Sequence, residues 1–173
     1  KYYAKVKAWA IKELQSLKPK VWVHLALMKD VWEICFDGKN EMVDAIGASL
    51  PIHDKGILGA LRVANLHKIM CLKKFENYIV SYVIAGSIVR GGATKTSDVD
   101  IYIIIDDTDV KRMTRIELRD KLRNIIYGYA LDAGDISGVK NKLSPQIYLL
   151  TDFWDGIREA NPLFFTFVRD GVP

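Results

Sequence analysis

The sequence predicts an α/β (α+β) fold behind a helical N-terminal extension, and three observations carry that expectation. Up to residue 77 the apolar side chains recur mainly at three- and four-residue steps, the period of a helix with one buried face. From Tyr78 onward, short β-branched and aromatic runs appear, "YIVSYVIAGS" and then Ser97 to Ile105, each bounded by turn residues. Between the second run and a third, "QIYLLT", lies a long amphipathic stretch rich in good helix formers. The expected division is a helical extension over 1–77 and a strand-containing domain over 78–173.

The elements follow in chain order. Tyr2, Val6, Trp9, Ala10, Leu14 and Leu17 describe an amphipathic helix that stops before Pro19. Its mixture of lysines and aromatics could stack on and neutralise RNA, but the period argues mainly for an element packed on the domain or on a partner. Val21 to Phe36 reads as a second, more buried helix; between Gly38 and Gly56 the pattern loosens and "SLPIHDKG" reads as a loop, and Ile57 to Asn77 reads as a long helix. Trp9, Trp22 and Trp32 fall on apolar faces and are expected in the core. The first strand ends at Gly86 and the second begins near Ser97. A helix then starts among acidic and hydroxyl residues, continues through Met113, Ile116, Leu122, Ile125, Ile126 and Tyr129, and closes at Gly134. After the third strand come a short helix around 152–160 and a last strand-like run, "LFFTFVRDG".

Composition narrows the classes. The 173 residues carry a net charge of +4, with 13 basic and 8 acidic side chains before Gly86 and 12 and 13 after it. Such a basic front half suits a polyanion, although a solvated helix face gives the same count. Cys35 and Cys71 are too far apart for a zinc or redox motif and read as small core residues in a reducing compartment. His24, His53 and His67 have no ligand spacing. No apolar run approaches a membrane span and no basic-then-apolar leader opens the chain, so no membrane contact and a cytoplasmic location are expected.

The stretch "GSIVRGGATKTSDVDIYIII", Gly86 to Ile105, carries the chemistry. Side chains alternate along a strand, so Asp98 and Asp100 share a face, roughly 6.5 Å apart along the backbone. Two carboxylates so placed repel unless a cation joins them, and oxygen-only ligands favour magnesium or manganese. Gly86 permits a sharp turn with close approach to backbone N–H groups, Ser87 adds a hydroxyl, and Arg90 and Lys95 are candidates to hold phosphate oxygens. Neither a P-loop nor a dinucleotide fingerprint fits, because the lysine and the glycine spacing each requires are absent.

This combination resembles the signature of the DNA polymerase β-like nucleotidyltransferase superfamily: Gly-Ser, about ten residues, then Asp-x-Asp on an apolar strand. Its "GS…RG…SD…D" form is similar to the minimal nucleotidyltransferases. The resemblance implies a small mixed sheet backed by helices, with Gly86 and Ser87 on a triphosphate and Asp98 and Asp100 holding Mg2+ or Mn2+. It further implies transfer of a nucleoside monophosphate from a nucleoside triphosphate, ATP being the expected one, to a protein or RNA hydroxyl. Such domains often pair with a separate helical HEPN-type toxin. One departure stands out: active members usually have a third carboxylate near the start of the next strand, where this chain has "SPQIYLL" and Gln146. Asp132 and Asp135 in the expected preceding loop are the substitutes to consider, whereas Asp106, Asp107 and Asp109 are explained by helix capping. A non-catalytic nucleotide-binding or antitoxin-like module is the alternative, and assembly of a homo-oligomer through the N-terminal helices is a third reading.

Overall fold

A computed structural model describes residues 2–173. Its centre is a three-stranded mixed sheet in the order β1-β2-β3, with β1 at Ile79–Ala85, β2 at Val99–Ile105 and β3 at Leu143–Leu149. β1 runs antiparallel to β2, and β3 runs parallel to it. The parallel pair requires a long crossover, and that crossover is the helix Arg115–Ser137. The other helices are α1 (Tyr2–Leu14), α2 (Met28–Phe36), α3 (Glu41–Ala48) and α4 (Ile57–Phe75), with the crossover as α5, then α6 (Leu150–Arg158) and α7 (Pro162–Asp170).

Strand alternation divides the core in two. Val99, Ile101, Ile103 and Ile105 of β2 join Tyr82 and Ile84 of β1 and Leu149 of β3 in one cluster, closed by α2, α3, α4 and α5. Tyr102 and Ile104 face the other way, with Val83 and Ala85, onto Phe153 of α6 and Phe164 and Phe167 of α7. Tyr102 stacks on Phe167 with ring centres 4.5 Å apart, and Tyr148 meets Phe164 edge-on at 5.0 Å. Both faces of β2 are therefore covered. This explains why its sequence is an almost continuous apolar run broken only by the aspartates at its start.

Several expectations are corrected. The run "LFFTFVRDG" is not a strand but α7: the Asn161 side chain accepts the Leu163 N–H at 3.0 Å and Pro162 sits at the first helical turn, so Asn161-Pro162 starts a helix. Only Val172 beyond it pairs, bridging Ile84 through two backbone bonds. The helix expected from Val21 begins at Met28, and the stretch of loosened pattern after Gly38 holds α3, whereas "SLPIHDKG" after it is a loop. α5 starts at Arg115, not among the upstream acids, because Thr114 and Glu117 form a capping box with bonds of 3.3 and 2.9 Å. It runs through Gly134 to the left-handed Gly138. Of the three tryptophans expected in the core, Trp32 is buried, but Trp9 is 63% and Trp22 is 89% exposed. No residue of α1 is buried: it lies against its own following segment, Tyr3 donating to the Leu25 carbonyl at 2.6 Å.

His67 is buried without exposure on α4. Its Nε2 lies 3.1 Å from the Ile126 carbonyl, and its Nδ1 lies 2.8 Å from the Tyr82 hydroxyl, which also reaches the Ala64 carbonyl. This network ties α4 to α5 and β1. Burial lowers the His67 pKa, and the bond to Ile126 only partly offsets it. The unfolded chain, with an ordinary histidine pKa near ~6.5, takes up the proton first. Stability should thus be complete above that pH and fall as the pH drops towards the lowered folded value, by up to about 1.4 kcal/mol per pH unit. Urea unfolding at pH 7.5, 6.5 and 5.5 checks this, and His67→Gln should flatten the slope in that window.

Candidate functional site

The site lies where β1 ends and β2 begins. Asp100 is the register partner of Ala85, and the chain turns at Gly86, whose φ is +77°. A Cβ on Gly86 would collide with Asp100 Oδ2, so the carboxylate rests directly over the glycine backbone. Only glycine meets both demands at that position, the left-handed backbone and the close approach. Asp98 is exposed on the approach to β2 and Asp100 is half-buried. Among the described residues neither takes part in an ion pair.

The loop that presents them is fixed at several points. Ile88 and Ala93 are buried in the main cluster. Residues Gly86 to Gly92 turn on themselves, with the Gly92 N–H donating to the Ser87 carbonyl at 2.9 Å. Asn141, only 4% exposed, donates its side-chain amide to the carbonyls of Thr94, at 2.8 Å, and Ser97, at 2.9 Å. Gly56 closes the loop from the other side, since a side chain there would strike the Thr94–Lys95 backbone. Asp98 therefore follows a clamped segment. Asn141 has no motif in the sequence; a single buried amide holding two loop carbonyls becomes recognisable only from its contacts.

The two basic candidates are separated. Arg90 is close enough to Asp170 to help hold its carboxyl below the usual range, an effect in which Arg169 is the larger contributor. Lys95 lies near Asp54, whose carboxylate accepts the N–H groups of Gly56, Leu58 and Gly59 at 2.8, 3.1 and 2.8 Å at the start of α4. Partial burial disfavours the Asp54 charge, but these donors, with Lys95, outweigh it and lower the pKa. Thus Gly86 and Asp100 are in contact at one end of β2, with Ser87 and Asp98 close to them in the chain, while Arg90 lies near Asp170 and Lys95 near Asp54.

The third carboxylate is not supplied by the expected substitutes. Asp132 and Asp135 are exposed positions inside α5, and α5 covers the sheet face opposite Asp100. Gln146 does share the Asp100 face, but it is level with Tyr102; the residue level with Asp100 on β3 is Ser144. Gln146 Oε1 accepts the Tyr148 hydroxyl at 2.8 Å. Asp106 and Asp107 lie past the opposite end of β2, where Asp106 holds Thr108 and Asp107 holds Thr151. Among the described residues no group of three or more His, Cys, Asp or Glu side chains converges as a metal cage. The thiols are equally inert: burial raises the Cys35 pKa and pushes Cys71 up to about 12.

A hard divalent cation fits what is present. Asp100, with Asp98 two residues before it, offers an oxygen-only donor set, and the glycine cradle leaves the Asp100 oxygens free of a neighbouring side chain at Gly86. Two protein carboxylates are few for a permanent ion, but they match magnesium, which retains waters and takes further oxygens from substrate phosphates.

Part of the chain is similar to known proteins. Residues 66–151, from within α4 to the start of α6, match the nucleotidyltransferase domain family. A protein of Methanocaldococcus jannaschii, whose name provisionally gives it as a protein adenylyltransferase, is 34% identical over 67 residues, 38% of this chain and 46% of that protein. The match thus spans less than half of the relative's own length. No solved structure matches. The matched segment contains the turn, both aspartates and all three strands. It is the nucleotidyltransferase domain family that this part of the chain is similar to.

Proposed function

We propose that the chain is a metal-dependent nucleotidyltransferase that moves a nucleoside monophosphate from a nucleoside triphosphate, ATP being the expected donor, to a protein or RNA hydroxyl. The observation that carries this reading is the Asp100 carboxylate seated over the left-handed Gly86, with Asp98 two residues away. The acceptor hydroxyl oxygen attacks the α-phosphorus and gives up its proton to water, a new P–O bond forms, the bond from the α-phosphorus to the oxygen bridging to the β-phosphate breaks, and pyrophosphate leaves with the electron pair. Gly86 and Ser87 would receive the triphosphate through backbone N–H groups and the Ser87 hydroxyl. Asp98 and Asp100 would hold Mg2+ or Mn2+. Such an ion, when bound, supplies charge neutralisation for the attacking and leaving oxygens. The name of the archaeal relative supports a protein hydroxyl as acceptor.

A second reading has its own support. With no group of three carboxylates converging among the described residues, the chain could bind a nucleotide without turnover, as an antitoxin-like module beside a HEPN-type partner. Incubation with ATP labelled at the α-phosphate, with Mg2+ or Mn2+ and a panel of protein and RNA acceptors, separates the two. Metal-dependent label on an acceptor supports the transferase. Nucleotide binding with no label on any acceptor supports the second reading.

A further inference from the structure

The N-terminal helix carries a feature that nucleotidyl transfer does not use. On α1, Tyr2, Lys5, Trp9 and Lys12 follow at steps of three, four and three, which places them within about 80° of one another around the helix axis. They alternate aromatic, basic, aromatic, basic. The side centred about 125° further round the helix is spoken for: Val6, Ala10 and Leu14 are half-covered, and Tyr3 is bonded to the Leu25 carbonyl of the segment that folds back. The stripe points away from that contact, with Tyr2 82% and Trp9 63% exposed. Residues 1–27 contain six lysines and one glutamate, a net +5, whereas the remaining 146 residues hold 19 basic and 20 acidic side chains. The charge of the whole chain is concentrated in this arm.

We infer that the Tyr2, Lys5, Trp9, Lys12 stripe of α1 is a docking surface for single-stranded RNA. Exposed aromatic faces stack on unpaired bases, while lysines between them neutralise the phosphates that link those bases. A membrane-surface helix is built otherwise, with its lysines segregated from the aromatic face that enters the lipid; here immersing Trp9 would immerse Lys5 and Lys12 as well. A duplex offers no free base faces to Tyr2 and Trp9. RNA also carries hydroxyl acceptors, so any role of the stripe in presenting an acceptor rests on the proposed function, but the binding itself does not.

The test is fluorescence anisotropy with a labelled 12-nucleotide RNA of unpaired sequence and the full chain, without nucleotide or divalent metal. Saturable binding that weakens steeply with salt is expected. Trp9→Ala should weaken it about tenfold while Trp9→Phe retains most of it, the difference isolating stacking. Lys5→Gln with Lys12→Gln should weaken binding and flatten the salt dependence. Because these side chains are exposed, circular dichroism of each variant should match the parent. The inference is overturned if the RNA does not bind, if Trp9→Ala binds as the parent does, or if duplex RNA binds as tightly; co-sedimentation with anionic phosphatidylserine vesicles in the absence of RNA binding would assign the helix to a membrane surface instead. None of these outcomes involves Asp98 or Asp100, so failure here is distinct from failure of the transferase reading.

Discussion

Asp100→Asn is expected to reduce metal-dependent label transfer by about 10²- to 10³-fold while leaving the fold intact. Asparagine keeps the size and one oxygen of the side chain, so it still fits over Gly86. What it removes is the negative charge that faces a divalent cation. Among the described residues Asp100 has no ion-pair partner to be orphaned by the change, in contrast to Asp107, which is nearly buried and lies 3.7 Å from Arg115. The measurement is transfer from α-labelled ATP at matched protein concentration, with circular dichroism and a urea curve confirming the fold. Loss of transfer with unchanged unfolding would assign the effect to the site, and unchanged transfer would remove Asp100 from it.

Ile103→Ala carries the largest expected effect on stability, a loss of about 3–4 kcal/mol. Ile103 is fully buried at the centre of the middle strand, level with Tyr82 on β1 and Ile147 on β3. It faces the cluster built from α4 and α5, so truncation opens a void that two helices and two strands would have to move to fill. The change is read as a lower urea midpoint with an unchanged slope. A loss under about 1 kcal/mol would mean that the layer between the sheet and these helices is far less tightly packed than described.

The parts of the fold that were legible in the sequence share one property: a single physical signal pointed one way. β2 is a β-branched run with no competing helical period, and Asp98 and Asp100 stand at alternate positions where it begins. Gly86 announces a turn, and the positive φ is what that glycine is for. Where the signals compete, the reading failed. Phe164, Phe165 and Phe167 favour a strand by composition, yet Asn161-Pro162 supplies both a cap and a helix start, and spacing of three puts Phe164 and Phe167 together against Tyr148 and Tyr102. The hydroxyl at Thr114 beat the more numerous acids upstream because only it has a glutamate three residues on. Trp9 and Trp22 sit on patterns that resemble a core face, but the sequence does not say that α1 docks on its own return segment instead of the sheet.

The candidate site was legible to the same extent. Its turn and its carboxylate pair are local, within fifteen residues, and the structure brings Gly86 and Asp100 into contact. Its supports are not local: Asn141 reaches back 44 and 47 residues to the loop carbonyls, and Gly56 meets the same loop from α4. Nor could sequence spacing show that Asp132 and Asp135 lie behind the sheet, or that Ser144 and not Gln146 is level with Asp100.

The central claim is that Asp98 and Asp100 gather a divalent cation with a triphosphate over Gly86 and Ser87. Titration calorimetry with Mn2+ and a triphosphate analogue that cannot be cleaved between the α- and β-phosphates tests it most directly. The account predicts saturable binding by the native chain that is lost when both aspartates become asparagine; equal binding by that double variant, or no binding by the native chain, would contradict it.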